Sequence, residues 1–348
     1  MGFPPISHPI LPAMTTPKAS LPPGLMIRSA KWLWTSLWQR MMAQMAPRSQ
    51  SGDYQRPSSQ FRHRLTAAGP HAPAPHRYSL ILGYGCPWAH RTLLVRALKG
   101  LEEVISLVVV EPCPDQGSWA FVSNFRGCGT LPELYRQAQP GYTGRATVPV
   151  LWDRQRAALV NNESADIIEL LNESWNEFAR HPELDLYPPH LRTAIDAWSD
   201  RLYETVNNGV YRCGFAQTQA AYDRACANLF ASLDHLETTL SQQPYLCGDS
   251  ITLADVRLFP TLFRFDAVYY GLFKCNRRRL QDYAALSRYL ARIYHLPGIA
   301  ATGDLTVVKR DYYGNLFPLN PGGIIPAGPE LSWNLVDSPE VQEESFTL

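Results

Sequence analysis

No stretch of this 348-residue chain offers the roughly 18 or more consecutive apolar residues that a membrane-spanning helix needs. Charge of one sign is equally scarce. The net charge of +1 argues against a surface built to hold nucleic acid or an anionic membrane, because such partners demand a basic excess. Paired cysteines are missing as well. Cys86, Cys113, Cys128, Cys213, Cys226, Cys247 and Cys275 are odd in number and lack metal-finger spacing. Neither a disulfide framework nor a metal site is expected from them, and a reducing, cytoplasmic compartment is. Acidic residues are absent from residues 1–50, where Lys18, Arg28, Lys31, Arg40 and Arg48 supply the charge. Organellar transit peptides share that composition, whereas Arg28 and Lys31 interrupt any apolar region of a secretory signal. Leu25 to Met45 also has the pattern of an amphipathic helix, whose Trp32, Leu33, Trp34, Leu37, Trp38 and Met41 could instead pack on the body of the protein.

What is present centres on Gly85-Cys86-Pro87-Trp88-Ala89-His90-Arg91-Thr92. The preceding Arg77 to Leu82 reads as a buried strand, and the residues from Pro87 to Lys99 favour a helix closed by Gly100. Pro87 at the first helical position loses no hydrogen bond. Cys86 is thereby expected at a helix N-terminus, where unpaired N–H groups and the helix dipole favour thiolate over thiol. Ala89 stands where a Cys-x-x-Cys redox motif has its second cysteine, so a mixed disulfide at Cys86 must be resolved by an external thiol. His90 one turn later would add positive potential or simply pack the helix; packing is the weightier reading. The other six cysteines read as core or surface residues.

Further along, Ile105 to Val110 predicts an inner strand, and Glu111 to Gly144, long for a connection, a functional loop or hidden secondary structure with a short helix at Leu131 to Gln139. Ala146 to Trp152 and Ala158 to Val160 read as a hairpin, and Asn162-Glu163-Ser164 as the start of a helix. Strand, helix, strand, helix, hairpin, helix is the order of a thioredoxin-like α/β domain. After a polar linker, apolar spacings of three and four from Leu191 to Val206 and from Cys226 to Leu240 predict an all-α half. Thr252 and Asp255 form a capping-box pattern there. The expected organisation is an extension over 1–60, a thioredoxin-like domain over 61–172, a helical domain over 173–308 and a C-terminal extension over 309–348. The first two dozen residues and the acidic tail are expected to be poorly ordered.

Thr147-Val148-Pro149-Val150 sets a proline at the start of a strand beside the active helix. In this fold class the proline is cis and the residue before it pairs with a peptide-like ligand, although an edge-strand proline without a ligand would look the same. Glu163-Ser164 at a helix start suits a carboxylate and an ammonium, although alone it is only an N-cap. Thiol turn, proline strand and Ser-started helix together point to glutathione, which has a thiol, a peptide backbone and an amino-acid head group.

From about Phe61 to Pro329 the chain resembles the Xi-class glutathione transferases, the glutathionyl-hydroquinone reductases. The carriers are the Cys86 motif, Gly144 to Asp153, Asn161 to Ser164, Asn207 to Tyr211, Arg264-Phe265-Asp266, Phe273 to Asn276 and Asn320-Pro321. The resemblance implies a thioredoxin-like domain followed by an all-helical glutathione transferase domain, and a homodimer formed through the helical halves. It implies Cys86 as nucleophile, Val148 with Pro149 as the backbone contact, and Glu163 with Ser164 as the γ-glutamyl clamp. Trp119 and Arg145 match lining positions of the glutathione site, and Tyr211 and Tyr312 match tyrosines that bind the aromatic ring and its phenolic oxygens, which makes them candidates, with Cys86, for catalysis by assisting proton transfer to the ring. The implied substrate is a glutathionylated hydroquinone, with glutathione as co-substrate and no metal. Arg277 to Arg279 reads as a solvated face. An omega-like thiol transferase or dehydroascorbate reductase shares the cysteine and the clamp, and a non-catalytic glutathione-binding protein would share the fold. Tyr211, Tyr269, Tyr270 and Tyr312 favour an aromatic substrate.

Overall fold

The computed structural model describes residues 23–333 apart from 48, 50, 51, 55–57, 114, 115 and 332. The expectations for residues 1–22 and for the acidic tail therefore fall outside the described residues. Helix α1 (Pro23–Met45) forms where the Trp- and Met-rich pattern predicts it. Only its second half is held on the body: Met42 is buried, Trp38 Nε1 donates to the Pro318 carbonyl at 3.1 Å, and Trp34 meets Phe317 edge-on. None of the described helices is long and apolar enough to cross a membrane.

The α/β half is built on β1 (Tyr78–Leu82), β2 (Ser106–Cys113), β3 (Ser118–Phe125), β4 (Cys128–Thr130), β5 (Val150–Asp153) and β6 (Ala158–Asn161), in the order β4-β3-β2-β1-β5-β6. β1 and β2 run parallel and the other neighbours antiparallel. Helix α2 (Pro87–Leu98) joins β1 to β2, α3 (Leu131–Ala138) follows β4, and α4 (Ser164–Glu173) follows β6. α2 ends as the sequence predicts, with Gly100 at φ +62°. The long segment from Glu111 to Gly144, expected as a functional loop or hidden secondary structure, holds secondary structure. β2 continues to Cys113, and the chain folds back as β3 and β4, two extra strands on the sheet edge. In β3 only Phe121 is buried, while Val122 is exposed, so an edge hairpin shows little of the alternation that marks a half-buried strand.

The helical half comprises α5 (Arg192–Leu202), α6 (Gly209–Gly214), α7 (Gln219–Leu240), α8 (Leu253–Arg264), α9 (Tyr270–Leu272), α10 (Ala284–Tyr294) and α11 (Leu305–Asn315). The expected apolar face from Leu191 to Val206 is not one straight helix, because α5 widens into a π-helical turn at Tyr203–Asn207. α8 is buried along its whole length. Its capping box forms: the Thr252 N–H donates to Asp255 Oδ2 at 2.8 Å, and Asp255 also accepts from the Leu246 N–H and the Tyr289 hydroxyl. Lys309, where the C-terminal extension is expected to begin, lies inside α11.

Buried hydrogen bonds cross between the two halves. Arg91 on α2 donates to Asn207 Oδ1 at 2.7 Å and to the Arg257 carbonyl of α8, and Asn207 donates to the same carbonyl. The buried Arg264, last residue of α8, reaches back to the turn before α2.

Candidate active site

Cys86 is the N-cap of α2 and lines a cavity of about 610 Å³ between the sheet and the helical half. Its thiol points to the Val148 carbonyl at 3.6 Å. The turn before it is held by Arg264, which donates to the carbonyls of Tyr84 at 2.8 Å and Gly85 at 3.1 Å. The same guanidinium donates to His90 Nδ1 at 2.9 Å, which leaves Nε2–H to face Thr302 Oγ1 at 2.8 Å. Burial, aided by Arg264, pushes His90 well below its usual pKa, so it is neutral. The packing role is the one the structure gives it, and the fixed positive charge near the thiol belongs to Arg264.

The residues expected to take glutathione lie on both sides of Cys86. The Val148–Pro149 peptide is cis, and Tyr135 fixes the residue before it by donating to the Thr147 carbonyl at 2.7 Å. Val148 and the exposed Arg145 line the cavity. So does Trp119, although it stands on β3 rather than in a loop. Its ring lies so near Gly83 that a Cβ there would be 2.3 Å from it, which is why the chain carries glycine at that point. Glu163 and Ser164 do not form part of the cavity wall; Ser59 and Asn162 stand there. Ser59 donates to Glu163 Oε2 at 2.8 Å, and Glu163 Oε1 caps α4 by accepting from the Ala165 N–H at 3.2 Å. The extension therefore touches the site, and Tyr54 lines the cavity too. No spacing in the sequence announces a bond between residues 104 positions apart.

The same cavity carries a cluster of phenols. Tyr211 and Tyr312 line the cavity with their hydroxyls 2.5 Å apart, and Tyr269 lies behind, 3.0 Å from the Tyr312 hydroxyl. Phe215 and Phe273 pack on Tyr211 with ring centroids 5.7 and 5.3 Å away. Burial pushes the phenols of Tyr211 and Tyr312 well above the usual tyrosine value, with neighbouring phenols adding to it. They are neutral hydrogen-bonding groups at physiological pH. Tyr270 is not brought to the cavity.

One group in the cavity has no counterpart among the sequence expectations. Asp311, on α11, is buried, and its carboxylate lies against the turn before Cys86: a Cβ on Gly85 would be 2.5 Å from Asp311 Oδ2. Burial pushes this carboxyl up, against the pull of Arg310 and of the Gly85 N–H. From the sequence Asp311 falls in the C-terminal extension expected from Lys309, whereas the structure sets it on α11.

Comparison with known proteins agrees with this geometry. Residues 85–174 match the family model of the glutathione S-transferase N-terminal domain, and residues 219–292 that of the C-terminal domain. The chain is 45% identical to the glutathionyl-hydroquinone reductase PcpF of Sphingobium chlorophenolicum over 289 residues, 81% of this chain and 91% of the relative. A glutathione-S-transferase Xi structure from Phanerochaete chrysosporium superposes with a TM-score of 0.78 at 41% identity, covering 81% of this chain and 94% of that one. The glutathione-bound structure of YqjG, a glutathione transferase homolog from Escherichia coli K-12, gives 0.75 at 43%, covering 79% and 94%. With the thiol turn, the cis-proline strand and the helical half all in place, the chain belongs to the Xi class of glutathione transferases, the glutathionyl-hydroquinone reductase family.

Proposed function

We propose that this protein reduces glutathionyl-hydroquinones to hydroquinones, with Cys86 carrying glutathione between the aromatic substrate and a second glutathione. The observation that carries the reading is one cavity holding a helix-capping thiol on one wall and paired phenols on another. The N-terminus of α2 and the Arg264 guanidinium on the preceding carbonyls favour Cys86 as thiolate. That thiolate attacks the sulfur of the glutathionyl group, forming a Cys86–glutathione disulfide as the aryl carbon–sulfur bond breaks. The ring carbon takes the electron pair of that bond and must gain a proton. Ala89 supplies no second thiol, so free glutathione attacks the mixed disulfide and leaves as oxidised glutathione.

Val148 presents its backbone to the glutathione peptide, and Trp119 and Arg145 flank it. Glu163 and Ser164 take the γ-glutamyl head group once Ser59 gives up its bond to Glu163. Tyr211 and Tyr312, neutral and adjacent, hold the phenolic oxygens of the ring. A homodimer joined through the helical halves and a cytoplasmic location belong to the same proposal. Cys86→Ser is expected to abolish turnover of a glutathionyl-hydroquinone, because a hydroxyl cannot form the mixed disulfide. Retained turnover would refute the reading, and preferred turnover of dehydroascorbate in the same assay would point to an omega-like thiol transferase instead.

A further inference from the structure

Building on that reading, we propose that the Asp311 carboxyl is the acid–base group of both half-reactions: it delivers the proton to the ring carbon, then takes the proton of the second glutathione. The argument is geometric first. Among the described residues Asp311 is the one carboxylate on the cavity wall, it is buried, and it lies in contact with the residue that precedes the nucleophile. Gly85 is what allows the approach, since any side chain there would overlap the Asp311 side chain.

The charged and titratable groups around it can be named. Arg310, on its own helix, lies 3.4 Å from Asp311 Oδ1 but also 3.3 Å from Glu111 on β2, so its charge is shared between two carboxylates. Arg264 and Cys86 lie at the turn, and Tyr211, Tyr269 and Tyr312 form the phenol cluster beyond. Burial raises the carboxyl toward neutrality, with Glu111 adding to it and Arg310 and the Gly85 N–H opposing. Burial pushes the phenols up as well, which takes them farther above neutral pH. A proton is transferred best by a group whose pKa lies near the working pH, which suits the carboxyl and not the phenols.

The steps close into a cycle. In the first half, the Cys86–sulfur bond forms as the carbon–sulfur bond breaks, and the ring carbon receives the Asp311 proton. In the second, the glutathione S–H bond breaks, its proton passes to the Asp311 carboxylate, and the new thiolate attacks the glutathione sulfur on Cys86. Cys86 leaves as thiolate, and both groups are back in their starting states.

The test uses the second half-reaction, which needs no aromatic substrate. The full-length protein is converted to its Cys86–glutathione disulfide with oxidised glutathione, and reduction by glutathione is followed from pH 6 to 8. The native protein is expected to show a nearly pH-independent rate above the titration of Asp311, because the carboxylate accepts the proton. Asp311→Asn is expected to be slower at neutral pH by about 10²–10⁴-fold and to climb about tenfold per pH unit, following the glutathione thiolate. Asp311→Glu should restore the flat profile, and formate should partly restore Asp311→Gly. A native rate that itself rises tenfold per unit, or an Asp311→Asn protein with the native rate and profile, overturns the proposal. Failure of the protein to turn over any glutathionyl-hydroquinone while these profiles hold would refute the aromatic substrate and leave the assignment of Asp311 to the thiol step standing.

Discussion

Arg264→Met removes a buried guanidinium that is bonded to the active-site turn and has no carboxylate partner among the described residues. The carbonyls of Tyr84 and Gly85 then lose charge-assisted bonds, worth about 1.5–3 kcal/mol each, while relief of burying a charge returns part of that sum. A net loss of about 2–4 kcal/mol is the expected result, read as a lower urea midpoint at unchanged slope. The same change withdraws positive charge from beside Cys86, so alkylation of Cys86 at neutral pH should slow by about tenfold, the equivalent of 1.4 kcal/mol. Arg264→Lys separates the two effects. An ammonium keeps the charge but lacks the planar fork that spans Tyr84, Gly85 and His90 together, so stability should fall while alkylation stays near the native rate. Arg264→Met with an unchanged midpoint and an unchanged alkylation rate would refute the view that this residue positions and polarises the thiol turn.

Two further substitutions probe the fold around the site. Gly83→Ala should displace the Trp119 ring, which a Cβ would approach to 2.3 Å, and weaken glutathione binding by calorimetry far more than it lowers stability; native affinity would contradict the placement of Trp119. Asp153, fully buried, is pushed up by burial, but hydrogen bonds from Arg77 and His71 outweigh this and hold it below the usual carboxylate value. A lowered folded-state pKa means stabilisation that is present above the unfolded value of about 3.9 and is lost as pH falls through the folded one. Asp153→Asn should therefore cost about 3–5 kcal/mol at pH 7, and the gap from the native protein should narrow progressively in acid. A gap that stays constant down to pH 3 would show that the charge of Asp153 is not what matters.

The thiol turn, the strand with Pro149 and the start of α4 were legible because each is a local pattern: a run of apolar residues, a Pro or Gly at a turn, and a capping residue. The capping box at Thr252 and the stop at Gly100 were readable for the same reason. What stayed hidden depends on distant segments. β3 gains its stability by pairing onto β2, and β4 by pairing onto β3, so their own sequence needs little alternation. Asp311 and Tyr54 reach the cavity from helix and extension, and only the folded chain brings them beside Cys86. Ser59 on Glu163 is a contact between an extension and a helix cap, which no periodicity encodes.

The most direct test of the central claim is the intact mass of the protein after one turnover with a glutathionyl-hydroquinone and no free glutathione. One glutathione bound per chain at Cys86, with one equivalent of hydroquinone released, is the predicted result. Hydroquinone released from a protein that carries no adduct would contradict it.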